Sequence, residues 1–269
     1  MADMLIHSMA EHAGILLPAL RISGAKEIVE IGSEYGTMTR LLLEWTRSRD
    51  GRLIAVDPSP SREAEDLFAS EPNAELVRAR SLDVLDGIDA DAYLVDGDHN
   101  YYTVLNESTK IWERTRTNGR PFLVFYHDVS WPWGRRDLYY DPPSIPAEHR
   151  HSHTWDRGVT LDDPGTIDGG FRGMGSWACA LQEGGPRNGV LTAIEDFLVG
   201  KEEELGWICV PAVFGLGALF SLQAPWLREM AAHLLPYHQN PLLERLERNR
   251  LECYLNVIAW QDRWNEKAA

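Results

Sequence analysis

The chain predicts an α/β fold, a doubly wound and mostly parallel sheet with helices on both faces. Three observations lead there. Short apolar runs alternate with helical patterns between residues 27 and 127. The first run, Glu27-Ile28-Val29-Glu30-Ile31, is β-branched, as in a strand buried on both faces of a parallel sheet. It turns through Gly32-Ser33-Glu34-Tyr35-Gly36 into helical spacing over residues 37–45. In an open α/β sheet, a strand, glycine turn and helix in this order form the place where nucleotide-like ligands bind.

The elements follow in order. Residues 2–20 read as a helix with Leu5, Met9, His12, Leu16 and Ala19 near one face, packed over the sheet or covering the ligand. Residues 52–56 are the second strand, ended by Asp57, and 61–69 a helix with Ser61 as N-cap. Residues 74–78 make the third strand, before Ser81-Leu82. Residues 91–95 are the fourth, followed by Asp96-Gly97-Asp98-His99-Asn100 and a helix over 103–116. The fifth, 121–126, ends at His127-Asp128.

Residues 129–176 break the pattern, being rich in Pro, Gly, His, Trp and Tyr with little periodicity. A loop this long reads as a lid over a substrate pocket. Beyond it come a short apolar segment at 177–181 and a helix opening at Gly189. Two apolar runs, 207–213 and 214–222, read as a terminal hairpin. Residues 224–266 read as a helical tail, either a brace against the domain or a dimer helix. The expected organisation is one domain over 1–222, with the lid insertion at 129–176, and a helical extension over 223–269.

Composition narrows the partners. The 269 residues suffice for one large domain, and a hydrophobic content of 44% fills its core. A net charge of −15 argues against nucleic acid, which needs a basic footprint. The three cysteines have no metal-binding spacing and imply no disulfide framework. The N-terminal residues lack the pattern of a signal peptide, and the longest apolar stretch is too short to span a bilayer. The expectation is a cytoplasmic protein with a small-molecule partner, without nucleic acid or membrane.

The turn favours a particular ligand. A dinucleotide site needs a middle glycine, and this chain has Glu34. A carboxylate at a helix N-terminus repels phosphate, so a phosphate-free nucleoside such as S-adenosylmethionine suits the loop better than NAD. Glu30 can face its ammonium or sulfonium side. Asp57 stands 21 residues beyond Gly36, the place of an acid that binds ribose hydroxyls, although an Asp-Pro turn is the alternative. The fourth and fifth strands deliver Asp96, His99, His127 and Asp128 to one edge of the sheet. Asp96 and Asp128 are hard oxygen donors that could share Mg²⁺, and His99 is the candidate base.

Glu30, Gly32 and Gly36 match the first motif of the class I S-adenosylmethionine-dependent methyltransferases, which the chain thereby resembles. The DGDHNYYTV stretch at 96–104 resembles the DGDHSY-like motif of a natural-product branch whose next strand ends in His-Asp. In the related macrolide-sugar O-methyltransferases, acids at the Asp96 and Asp128 positions bind Mg²⁺, and a histidine at the His99 position is the base. The resemblance implies a Rossmann-like sheet of order 3-2-1-4-5-7-6, antiparallel at its end. It implies a cofactor held by Glu30, Gly32, Ser33, Tyr35, Gly36, Asp57, Ser81, Leu82 and Asp96, with adenine near Ser81 and Leu82. It implies O-methylation of a sugar or secondary metabolite, with Mg²⁺ or another divalent metal at Asp96, His127 and Asp128. His127 stands where those enzymes carry an acid, and an imidazole disfavours Mg²⁺. The likeness covers residues 25–130 well, the hairpin loosely and the lid hardly at all.

Other readings stay open. The chain can be a metal-independent N- or C-methyltransferase, or a cofactor-binding interaction module without catalysis. A homodimer through the tail is possible. His149, His151 and His153 alternate and could hold zinc or copper if extended, or be a solvated loop. Arg135 and Arg136 can grip an anionic substrate or pair with nearby acids. Trp131 and Trp133 can stack on a ring or pack the lid.

Overall fold

The computed structural model describes residues 7–268, with side chains from 7 to 265. The Ser8 hydroxyl accepts from the Ala10 amide and opens a 3-10 turn, Met9–His12, which leads into α1 (Ala13–Ser23). Gly24, at φ 71°, closes α1 in the left-handed conformation that favours glycine. The first helix therefore starts later and runs further than its spacing suggested; Leu5 lies outside the described residues.

Then follow β1 (Glu27–Ile31), α2 (Thr37–Arg47), β2 (Arg52–Val56), α3 (Arg62–Phe68), β3 (Ala74–Val77) and α4 (Ser81–Val84). Ser61 caps α3 as expected, accepting from Ala64 N at 3.2 Å. Next come β4 (Ala92–Val95), α5 (Tyr101–Thr117) and β5 (Leu123–His127). The start of α5 is set by Asn100, whose side chain accepts from Thr103 N at 2.9 Å. The insertion contributes β6 (Leu138–Tyr139), β7 (His153–Thr154) and β8 (Ala178–Ala180). The chain ends with α6 (Val190–Leu198), β9 (Leu205–Val210), β10 (Leu216–Ser221), α7 (Leu227–Leu234) and α8 (Pro241–Ala268).

The main sheet has seven strands in the order β3-β2-β1-β4-β5-β10-β9. The first five are parallel, and β10 and β9 close the sheet antiparallel. This is a Rossmann-like α/β fold. The two-residue period of its strands feeds two cores. Val29, Ile31, Tyr93, Val95, Val124 and Tyr126 face one layer with Val104 and Ile111 of α5 and Ile194 of α6. Ile28, Leu94, Leu123 and Phe125 face the other with α1, α2 and α7. Among the described residues no helix is long and apolar enough to cross a membrane.

The insertion has more order than its composition suggested. β6, β8 and β7 form a separate antiparallel sheet, whose strands of two or three residues are too short to leave a periodic signal. Asp137, fully buried, ties the insertion to the main domain. Its Oδ1 accepts from Tyr101 N at 2.8 Å and Gly189 N at 2.7 Å, and its Oδ2 from the Tyr139 hydroxyl at 2.8 Å. Trp133 is buried against Trp177 and Phe171, and Trp131 packs on Phe171 and Phe214.

The helical tail consists of two helices, α7 and α8. A 3-10 turn at Leu235–Tyr237 contains Pro236, which cannot continue a helix. Asn240 then caps α8, accepting from Leu242 N at 3.0 Å and Leu243 N at 3.2 Å. Leu251 and Glu247 of α8 are buried, while Leu242, Leu246, Trp260 and Trp264 stand exposed. Replacing Asp137 by Ala strands two buried amides and should cost about 3 kcal/mol or more of stability, measured by urea denaturation. A loss under about 0.5 kcal/mol would mean that the insertion is held elsewhere.

Candidate active site

The site begins at the turn after β1. Gly32 has φ 86°, and a Cβ there would lie 2.2 Å from the Asp96 carbonyl oxygen. Only glycine lets the ends of β1 and β4 approach this closely. Asp57, at the end of β2, organises the turn. Its Oδ2 accepts from Ser33 N (2.9 Å), Ser33 Oγ (3.2 Å) and Glu34 N (3.0 Å), and its Oδ1 from Ser59 N (2.7 Å). The amides that would meet a pyrophosphate in a dinucleotide site are thus spent on the protein's own carboxylate. Asp57 had been expected at a ribose; three of its four bonds are made within the turn.

Glu30 is buried beneath the turn and accepts from the Thr39 hydroxyl at 2.6 Å. Burial pushes its carboxyl up to about 8, against the pull of that hydrogen bond. Tyr35 is exposed on the turn. Ser81, at the start of α4, donates to Glu107 of α5, and Leu82 is half-buried beside it.

The residues after β4 and β5 meet. His99 Nε2 lies 3.0 Å from Asp128 Oδ2 and 3.4 Å from Asp96 Oδ1. His127 Nδ1 lies 3.1 Å from Asp96 Oδ1 and 3.5 Å from Asp128 Oδ2. Asp128 reaches this position with φ 60°, a left-handed conformation tolerated by aspartate. Burial alone would lower both imidazoles. The Asp128 charge and hydrogen bond, then Asp96, outweigh it at His99 and raise it to about 10. At His127, Asp96 and then Asp128 do the same, and it sits well above 6.5. Asp128 is held low despite burial by His127 and then His99, and Asp96 likewise.

His127, expected as a metal ligand, turns Nδ1 toward the two carboxylates. Its Nε2 faces the Val213 carbonyl at 3.0 Å. His12 was read only as part of an apolar helix face. The structure puts its ring edge-on to His127 at 5.8 Å, and burial, then the His127 charge, pushes it down to about 4. Tyr140, just after β6, brings its ring to 6.0 Å from that of His99. The ring is half exposed, and partial burial, then the charges of Glu34, Asp128, Asp96 and Asp98, raise its phenol.

The other candidates lie elsewhere. Arg136 is buried and donates to the carbonyls of Ala180, Pro164 and Gly165, while Arg135 pairs with Glu195. Neither reaches the cluster. The HRHSH histidines do not converge, because His149 ends a 3-10 turn instead of an extended run. His149 stacks on Tyr102, His151 Nε2 meets the Arg187 carbonyl and His153 Nδ1 meets the His151 carbonyl.

With that geometry in view, the chain can be set beside known proteins. Residues 29–129 match the family model of a methyltransferase domain. The matched segment runs from β1 past Asp128 and so contains the turn, Asp57 and the whole histidine–aspartate cluster except His12. No curated protein matches the chain. Among solved structures, a methyltransferase from Podospora anserina bound to S-adenosylhomocysteine is 15% identical, with 76% of this chain and 75% of that one covered and a TM-score of 0.44. A putative caffeoyl-CoA O-methyltransferase from Staphylococcus aureus is 12% identical, with 78% and 83% covered and a TM-score of 0.45. A putative O-methyltransferase from Klebsiella pneumoniae is 14% identical, with 80% and 82% covered and a TM-score of 0.44.

The raised His99 has a signed consequence. Its contribution to stability is full below 6.5, its unfolded value, and is lost as pH rises through about 10. In chelator-treated protein, denaturation should show stability falling across that window, and His99→Gln should flatten part of the fall. An equal fall in the variant would refute the pairing.

Proposed function

We propose that the chain is an S-adenosylmethionine-dependent methyltransferase acting on a hydroxyl of a small molecule, a sugar or secondary metabolite. The carrying observation is the adjacency of the glycine turn, its amides already bound to Asp57, to the cluster of Asp96, His99 and Asp128. A phosphate-free cofactor with a sulfonium cation suits a turn that has Glu34 on it, Glu30 beneath it and Asp96 beside it better than a dinucleotide does. In this reading Gly32, Ser33, Tyr35 and Gly36 hold the cofactor, with its adenine toward Ser81 and Leu82.

The acceptor hydroxyl lies between the sulfonium methyl and His99. His99, whose Nε2–H faces Asp128 and Asp96, takes its proton at Nδ1, the ring nitrogen without a partner, while the oxygen forms its bond to the methyl carbon. The sulfur keeps the electron pair of the broken bond and leaves as neutral S-adenosylhomocysteine. Asp96 and Asp128 orient the imidazole and hold its charge. Their donor chemistry fits a divalent cation, and Asp128 Oδ1 is buried without a partner. When bound there, such a cation would act as a Lewis acid on the hydroxyl and draw off the carboxylate charge that holds the His99 proton. The acids of the cluster, with Arg135 and Arg136 engaged elsewhere, support an uncharged or amine-bearing acceptor over an anionic one. The exposed apolar residues of α8 support pairing of two chains through that helix.

Calorimetric titration should show binding of S-adenosylhomocysteine and none of NAD. Asp57→Ala should weaken that binding by about 1 kcal/mol or more, since it releases the turn. With a panel of hydroxylated small molecules, His99→Gln should lower methyl transfer about 100-fold or more while leaving cofactor affinity intact. Binding of NAD in place of S-adenosylhomocysteine would overturn the reading.

A further inference from the structure

We infer that α8 packs antiparallel on α8 of a second copy of this chain, about a two-fold axis passing beside Cys253. The inference rests on the pairing of chains proposed above, gives it a geometry, and does not depend on the reaction.

α8 has two distinct sides. On one, Glu247 and Leu251 are buried, the Tyr254 ring lies 6.2 Å from that of Phe171, and Asp262 pairs with Arg172 at 2.6 Å. Glu247 also accepts from the Phe214 amide at 3.0 Å. These contacts fasten the helix to the insertion and to the β9–β10 turn, so the side it turns outward is fixed.

That outward side carries Leu242, Leu246, Cys253, Trp260 and Trp264, all exposed. The two leucines and two tryptophans are 57% to 65% exposed. Leu242 and Trp260 stand eighteen residues apart, five whole turns, and so do Leu246 and Trp264. The residues therefore form one stripe along the helix. Trp260 and Trp264 stack on each other, with ring centroids 5.9 Å apart. A contiguous apolar row of this kind marks a contact surface.

The spacing names the partner. Counted from Cys253, the leucines stand eleven and seven residues before it, and the tryptophans seven and eleven after it. A two-fold contact needs a surface that complements itself, in which residue i meets j and j meets i. Antiparallel packing about Cys253 meets that need. Leu242 comes level with the partner's Trp264, and Leu246 with the partner's Trp260, so that large side chains face smaller ones. A parallel pair would set indole against indole and leucine against leucine. Exposed Asn249, four residues before Cys253, comes beside the partner's Asn256, three after it, and two amides can exchange hydrogen bonds. Exposed Arg245 comes beside the partner's Trp260, where a guanidinium stacks on an indole face. Two such stripes face to face would remove about 1,000 Å² from water, the area a specific interface needs.

The test uses the full chain. Sedimentation equilibrium should show a dimer for wild type. Trp260→Glu should weaken it about 100-fold or more with the far-ultraviolet circular dichroism unchanged. Orientation is read from Asn249→Cys and Asn256→Cys, each made together with Cys253→Ser. A disulfide needs Cα atoms within about 7 Å. With copper–phenanthroline and oxygen as the oxidant, the two variants mixed and left to exchange should cross-link, and neither should alone. Each variant joining to itself would show a parallel pair and overturn the inference, as would a mixture that stays uncross-linked or a dimer indifferent to Trp260→Glu. A wild type that stays monomeric and binds phosphatidylcholine vesicles through the stripe would overturn it in favour of a membrane. Titration with S-adenosylhomocysteine separates the two claims. A monomer that binds it defeats this inference alone, and an antiparallel dimer that does not defeats the methyltransferase reading alone.

Discussion

A buried carboxylate, a half-buried one and two buried imidazoles, brought together at the ends of β4 and β5, are the constraint around which the remainder of the molecule is arranged. Taking charges out of water is costly, and such a group persists only when each member has a partner of opposite sign in good geometry. Asp96 and Asp128 have that in His99 and His127, at distances of 3.0 to 3.5 Å. The backbone accommodates them through the left-handed Asp128 and through a glycine at position 32 that lets β1 come up against β4.

The support comes from parts of the chain far from the strand ends. The β9–β10 turn presents the Val213 carbonyl to His127, and α8 secures that turn through Glu247. The insertion is bound to α5 and α6 through Asp137, and it lays Tyr140 against His99. The N-terminal 3-10 turn adds the His12 ring behind His127. Four segments outside residues 29–129 therefore shape one cluster. This explains how a tail and an insertion of irregular composition can matter to chemistry that they do not carry.

Much of the fold was legible because burial leaves a local record. β-branched and apolar runs marked β1 to β5, and Gly32 with Gly36 marked the tight turn after β1. The strand order came from family likeness, since spacing alone is silent on which strands pair. The insertion's sheet left no record, because two-residue strands have no period to detect. The break between α7 and α8 was written in Pro236 and Asn240-Pro241, and a reading that weighed helical spacing above these breakers missed it. At the site, the three-residue separation of Asp96 and His99 and the His127-Asp128 pair gave the cluster in advance. Its fine roles were hidden, because the partner that fixes His127 lies 86 residues away in sequence and the Phe214–Glu247 bond spans 33. Asp57 was read as a ribose contact from its place at the end of β2; its bonds to the turn's own amides depend on backbone geometry that spacing does not record.

The most direct test of the account is a crystal structure of the chain with S-adenosylhomocysteine. The account predicts the ligand in the crevice between the glycine turn and the cluster, with its sulfur nearer to Asp96 and His99 than its adenine is. A ligand seated away from the Gly32–Gly36 turn, or a sulfur turned away from the ends of β4 and β5, would contradict it.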